Sequence, residues 1–340
     1  MRAVGYQVYL PASDEQALLD ITLPAPVASG RDILVQVAAV SVNPVDTKIR
    51  RRLQPEVGQY KVLGWDAAGE VIAVGEDVSL FKPGDKVYYA GCLTRPGCNS
   101  ELQLVDERIA AIMPDNLSYA EAAALPLTAI TAWELLFERL ELQQPSLKYP
   151  RPVLLIIGAA GGVGSILVQL ARQLTTATII ATASRAETKQ WVTDLGAHYV
   201  LDHSQPMLAQ LQALDLAHVT HVASLTHTDQ HYTDIIAMLA PQGKLALIDD
   251  PVQGLDIMPL KQKSISLHWE FMFTRAMFNT DDMQQQHQLL TDLSRLVQQG
   301  QIKTTLKQVL GPINAANLRL AHQQIETGKT VGKVVLAGWD

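Results

Sequence analysis

Cysteine is nearly absent from this sequence. Cys92 and Cys98 are the only two in 340 residues, so a secreted disulfide framework is excluded as the source of stability. No basic stripe is present either. Lys and Arg number 27 against 34 Asp and Glu, and the net charge of −7 is dispersed, which argues against nucleic acid as a partner. Long apolar runs are missing too. VLLIIGAA, from Val153, is too short to span a bilayer. The N-terminal MRAVGYQVYL has no basic region followed by a long apolar run, so no secretory leader is expected. A cytoplasmic protein acting on small molecules, with no membrane partner, is the expectation. With 48% hydrophobic residues, the chain can bury two cores.

The first part reads as β-rich. ILVQVAAVSV (Ile33 to Val42) and EVIAVG (Glu70 to Gly75) are rich in Val and Ile, and turn clusters such as KPGD (Lys82 to Asp85) separate such segments. Ser118 followed by Glu121 fits a capping box. Helical text then runs to about Leu140, with a kink or break at Pro126. From Val153 strands and helices alternate, which predicts a doubly wound parallel sheet. SISLHWEF (Ser264 to Phe271) is its expected last strand. An amphipathic helix with Leu289, Leu293, Leu296 and Val297 on one side follows, and GKVVLAG reads as a final strand.

GAAGGVGS (Gly158 to Ser165) joins a strand to a helix. In that context glycines let backbone approach a pyrophosphate and let the helix pack closely on the strand. Ala160, Gly161, Gly162 and Val163 are the expected phosphate-facing residues. Ala159 stands where the usual G-x-G-x-x-G has its first glycine under this alignment. The next strand ends in TASR, Thr182 to Arg185, without the acid that bonds a ribose 2′-hydroxyl in NAD enzymes. Ser184 and Arg185 can hold a 2′-phosphate instead, or Arg185 can be a solvated surface residue; the reading favours NADPH.

With these segments in hand, the chain resembles the medium-chain dehydrogenase/reductase superfamily in its quinone oxidoreductase-like branch. The likeness rests on VNPVD (Val42 to Asp46), GWDAAGEVIAVGEDVSLFKPGDKV (Gly64 to Val87), ALPLTAITAWELL (Ala124 to Leu136), GAAGGVG and GKTVGKVVL (Gly328 to Leu336). PLTAITAWELLFERL, LIDDP and PLKQKSISLHWEFMFTRAMF narrow it to bacterial zinc-type alcohol dehydrogenase-like proteins. The resemblance implies a GroES-like catalytic domain over 1–126, a Rossmann NADPH-binding domain over 127–272, and a return to the catalytic domain over 273–340. It places the active site in the cleft. It also implies a homodimer or homotetramer, often joined through the last Rossmann strand.

Zinc-dependent relatives keep a Cys in the segment matching VNPVD and His-Glu after the glycine of GWD. This chain has Asn43 and Trp65-Asp66 there, and no cysteine beyond Cys98. Three protein ligands are needed for a catalytic zinc, so none is expected. His227 and His231 in HTDQH, four apart, could share a helical face, and His218 is close to His221, but the favoured reading of both is solvated or capping histidines. Without a Lewis acid, hydride transfer to an activated small-molecule electrophile is the easiest chemistry. The expected function is an NADPH-dependent reductase of quinones or α,β-unsaturated ketones and aldehydes. The alternatives are a zinc-type alcohol or aldehyde dehydrogenase, and an NADPH-binding redox sensor with little catalysis.

Candidate catalytic residues follow. Asn43 either presents its amide to the pocket or caps backbone before Pro44. Asp46 orients a neighbour or caps the helix in DTKIRRRL, and Lys48 donates to an oxyanion or lies on a solvated face. Related enoyl reductases carry a proton-donating tyrosine near the position of Gln54; Tyr60 is the candidate replacement, and otherwise solvent supplies the proton. Trp65 forms an aromatic wall or packs in the core. By resemblance, Thr128 and the Phe271, Met272 and Phe273 segment meet the nicotinamide, and Lys333 reaches cofactor phosphates, with core packing and a solvated strand end as the alternatives.

Overall fold

The computed structural model describes residues 1–143 and 148–340. Two compact units form: Met1–Ile130 with Phe273–Asp340, and Thr131–Met272. The division falls inside one helix, Pro126–Glu134, a place that composition does not mark.

In the first unit, β1 (Arg2–Tyr6), β2 (Leu19–Thr22), β3 (Asp32–Val42), helix α1 (Pro44–Arg52), β4 (Lys61–Val62), β5 (Ala67–Val74), β6 (Lys86–Tyr89), β7 (Leu102–Asp106) and β8 (Ala110–Ile112) follow in order. Short helices α2 (Tyr119–Ala123) and α3 (Pro126–Glu134) come next. The long strand β3 organises this unit. It pairs with β5 along one edge, with β7 through Asp32 to Gln36, and with β16 (Lys333–Ala337) through Ala39 to Val42. Irregularities at Leu34/Val35 and Val37/Ala39 bend β3 so that it can serve these partners. The expected capping box is present: the Ser118 N–H donates to Glu121 Oε2 at 2.9 Å, and the Glu121 N–H donates to Ser118 Oγ at 3.3 Å.

The second unit holds β9 (Val153–Ile157), α4 (Gly162–Leu174), β10 (Thr178–Thr182), α5 (Ala186–Asp194), β11 (Tyr199–Leu201), α6 (Met207–Gln212), β12 (Val219–Ser224), α7 (Thr228–Met238), β13 (Leu239–Leu247), α8 (Met258–Gln262) and β14 (Ser266–Trp269). The strands pair in parallel in the order β11-β10-β9-β12-β13-β14, with a helix in each crossover. Counted from β9, that is the 3-2-1-4-5-6 order of a doubly wound dinucleotide fold, with its switch point between β9 and β12. All five residues of β9 are buried, which is why VLLII shows no alternation. Leu155, Ile157, Val222, Leu245 and Leu247 join Ile235 and Met238 of α7 in one apolar core. The last strand begins later than its sequence suggests, because Ser264 takes a left-handed φ of 50°.

The first unit ends with α9 (Thr274–Phe278), α10 (Gln285–Gln298), β15 (Leu306–Val309), α11 (Ala315–Glu326) and β16. The run Tyr119–Arg139 has the length and composition of a membrane helix, but 83% of its most apolar window is buried in the fold, as in a core helix.

Candidate functional site

In the first unit the candidate residues gather where β3, α1, β5, α3 and β16 meet. Asn43 is the N-cap of α1, with Pro44 next to it preset for a helix start. Its N–H donates to Asp46 Oδ2 at 2.7 Å. Asp46 therefore takes the capping role, while the Asn43 side chain is free for another task. Asn43 Nδ2 donates to Asp66 Oδ2 at 3.1 Å and to Ser41 O at 3.3 Å. Lys333 Nζ donates to Asp66 Oδ2 at 3.0 Å, to Val42 O at 3.4 Å, and to Asn43 Oδ1. The other Asp66 oxygen accepts from the Leu127 N–H of α3 at 3.1 Å.

All four polar residues are buried, Lys333 to 3% exposure and Asp66 to 0%. Burial raises the Asp66 carboxyl above the usual carboxylate range, while Lys333, Asn43 and the Leu127 amide favour its ionised form. Burial also pushes Asp46 up to about 7, against the Asn43 N–H and the Lys333 charge. The same burial pushes the Cys98 thiol up.

These positions bear on three of the candidate residues. Lys333 does not present its ammonium to a phosphate: β16 lies beside β3, so the side chain turns inward to Asp66. Trp65 is no exposed aromatic wall. It is fully buried, its Nε1 donates to Cys92 O at 3.1 Å, and its ring meets Phe273 edge-on at 6.3 Å. Thr128 is buried, and its hydroxyl donates to Leu125 O at 3.0 Å inside its own helix end. Lys48 is half-buried on α1, and Tyr60 is 40% exposed just before β4. The Gln54 amide bonds the backbone of Gln7 and Tyr9.

Asn43 and Trp65 stand where the resemblance places the ligands of zinc-dependent relatives, and the ammonium of Lys333 already sits on Asp66. Among the described residues no group of three or more His, Cys, Asp or Glu converges to hold a metal ion. The donor set does not fit zinc. His227 and His231 do not pair on a helix face, because His227 is the left-handed N-cap of α7; the ring facing His231 belongs to His203, at 5.9 Å.

A cavity of about 330 Å³ in the same unit is lined by residues that include Cys92, Thr94, Arg95, Ile109, Met277 and Met283. Arg95 is held by both oxygens of Asp32 at 2.8 Å, so its charge is matched.

In the second unit the loop after β9 makes its turn at Gly158, which has a φ of +80°, and its N–H donates to Thr182 Oγ1 at 3.1 Å. This is the tight-turn glycine, and with Gly161 and Gly164 it makes the spacing G-x-x-G-x-x-G in place of G-x-G-x-x-G. A Cβ at Gly164 would lie 2.5 Å from Ala159 backbone, so the helix can approach the loop only with glycine there. Gly161 is the N-cap of α4, and no side chain caps that end. The Gly161 N–H donates to Gly158 O at 3.2 Å, and the loop of Ala160, Gly161, Gly162 and Val163 follows the C-terminal end of β9, the edge at which dinucleotides bind in this fold. Ser184 is half-buried after β10, and exposed Arg185 is the N-cap of α5. Met272 is buried, and Phe271 is 48% exposed.

Residues 29–131 match the alcohol dehydrogenase GroES-like domain family, and residues 195–336 the zinc-binding dehydrogenase family. A zinc-type alcohol dehydrogenase-like protein of Staphylococcus aureus (strain MSSA476) is 41% identical over 337 residues, 99% of each chain. A quinone oxidoreductase of Pseudomonas aeruginosa is 31% identical, covering 90% of this chain and 91% of its own. The crystal structure of a Rhizobium etli CFN 42 protein, provisionally assigned as a zinc-dependent alcohol dehydrogenase, is 55% identical with a TM-score of 0.97, covering 100% and 98% of the two chains. The chain belongs to the medium-chain dehydrogenase/reductase superfamily, in its zinc-type alcohol dehydrogenase-like group. It is an oxidoreductase built from a GroES-like domain and a Rossmann domain.

Proposed function

We propose that this protein is an NADPH-dependent reductase that delivers hydride to a quinone or an α,β-unsaturated ketone or aldehyde without a metal ion. The observation that carries the reading is the Lys333 ammonium on Asp66 and Asn43. A cation already sits beside Asn43 and Asp66, the positions at which the resemblance places the ligands of zinc relatives, and a divalent ion would be repelled there. A saturated carbonyl then lacks a Lewis acid, whereas a quinone or enone spreads the developing charge over its own π-system.

A reduced nicotinamide, when bound, supplies the hydride. The amides of Gly162 and Val163 at the start of α4 would hold the pyrophosphate, with Gly161 letting the backbone approach it, and Ser184 with Arg185 the 2′-phosphate. Thr128 and the Phe271 to Phe273 segment are assigned to the nicotinamide end. The cavity beside Cys92 has the volume for a one-ring quinone or a short enone. Protonation of the product is left to solvent. The name of the Pseudomonas relative supports the quinone. A homodimer is proposed through the free edge of β14, where Trp269 and Phe271 are 55% and 48% exposed.

The test combines zinc analysis with cofactor oxidation on a benzoquinone, a naphthoquinone, an enone, an enal and a saturated aldehyde, with NADH as control. Zinc-free protein turning over quinones or enones with NADPH is the expected result. Stoichiometric zinc with turnover confined to the saturated aldehyde sinks the proposal. Tight NADPH binding without turnover on any acceptor makes the protein a redox sensor.

A further inference from the structure

The described second unit contains a buried acid pair that the reaction above does not use. Glu134 is the last residue of α3, and Leu135–Arg139 continues it as a π turn, a rare geometry often found at functional positions. Glu270 follows β14 directly, and its N–H donates to Leu247 O at 3.0 Å. Both glutamates are 2% exposed. Arg139 Nε donates to Glu270 Oε2 at 2.8 Å, and its Nη2 stands 3.9 Å from Glu134 Oε2.

One guanidinium therefore faces two buried carboxyls. Glu270 Oε1 is buried and has no hydrogen-bond partner, so ionising both carboxyls would leave an unsatisfied charge beside a single guanidinium. With one proton between them, the cluster is neutral. Without it, a net negative charge is buried, which is costly. The other charged groups around the cluster leave that balance in place. Glu138 of the π turn adds negative charge, His268 of β14 lies near Arg139, and Glu141 is bonded by Lys244 of β13.

We propose that Glu134 and Glu270 hold a single proton between them and, clamped by Arg139, act as positioning residues that fix Phe271 and Met272 for the nicotinamide ring. This rests on the nucleotide-binding reading above. Glu270 is the residue before Phe271, so its carboxyl sets where that backbone leaves the sheet. Loss of the shared proton places like charges in contact and pushes Glu270 away from α3. The raised proton affinity of Glu270, caused first by burial, puts that loss above the ordinary carboxylate range.

The experiment is equilibrium binding of NADPH to the full-length protein, followed by cofactor fluorescence from mildly acidic to alkaline pH. Wild type, Glu270→Gln and Glu134→Gln are compared. Expressing each variant as a ratio to wild type removes the titrations of the cofactor and of distant groups. Wild-type affinity is expected to fall about tenfold per pH unit once the shared proton leaves. An amide keeps a donor at all pH values, so both variants should hold their neutral-pH affinity on the alkaline side. Parallel pH profiles in wild type and the Gln variants overturn the proposal. So does an alkaline drop in melting temperature with unchanged affinity, which marks a purely structural pair. Absence of NADPH and NADH binding in wild type at every pH overturns the cofactor reading itself, and this inference with it.

Discussion

Lys333 and Asp66 form an ion pair with 3% and 0% side-chain exposure. Removing one partner of such a pair leaves an uncompensated buried charge. Lys333→Met should cost about 3–5 kcal/mol in urea denaturation, and adding Asp66→Asn should recover most of the loss. An undiminished stability of the single variant would mean that the pair is not formed. Asp46 changes stability with pH in the opposite sense from an acid whose pKa folding lowers. Its folded pKa is raised to about 7, so its contribution is fully present below the ordinary carboxylate range and is lost as pH rises through about 7. Asp46→Asn should match wild type in acid and exceed it in stability above neutral pH, as read from melting curves. At Arg185, truncation to Ala should weaken NADPH binding by about tenfold or more while leaving NADH binding unchanged, since charge-assisted hydrogen bonds to a phosphate are lost.

At the scale of elements, the approach of α4 to β9 depends on Gly164. The 2.5 Å contact that a Cβ would make with Ala159 backbone forces a shift of the loop. Gly164→Ala should destabilise the protein by about 1–3 kcal/mol and weaken nucleotide binding more than acceptor binding. Helices α1 and α11 are locked by fully buried Arg50, which bonds His322 Nδ1 at 3.1 Å, the Leu10 carbonyl and Glu326. Burial and the neighbouring guanidinium lower the His322 pKa to about 3, so the ring is neutral and accepts from Arg50. A depressed histidine pKa means that the unfolded chain binds the extra proton. Stability is full above about 6.5 and falls on acidification by up to about 1.4 kcal/mol per pH unit. His322→Gln should flatten that acid limb in a pH series of denaturation curves.

For the whole molecule, the edge of β14 is where association would occur. The strand is last in its sheet, and Trp269 beside it is 55% exposed. A second copy pairing there would extend the sheet and cover the indole. Light scattering should give a dimer mass, and Trp269→Lys should shift it toward the monomer. A wild-type monomer at assay concentration would remove the dimer from the proposal.

The broad plan is legible in local features of the chain. Alternating apolar segments after Val153, glycines between strand and helix, and the Ser118/Glu121 box are local signals. Each reflects backbone geometry or hydrogen bonding within a few residues, so each could be read without the fold. The lack of zinc ligands at Asn43 and Trp65 was equally legible, because ligand chemistry depends on residue type. The tertiary structure decided which polar residues meet. Asp66 and Lys333 are far apart in the chain and become neighbours only because β16 pairs with β3. Glu134 and Glu270 come to one guanidinium, that of Arg139, through a π turn and a strand end that no period in the sequence marks. For Trp65 the sequence left a pocket wall and a core position open, because burial is a property of the packed unit, and the fold placed the ring in the core.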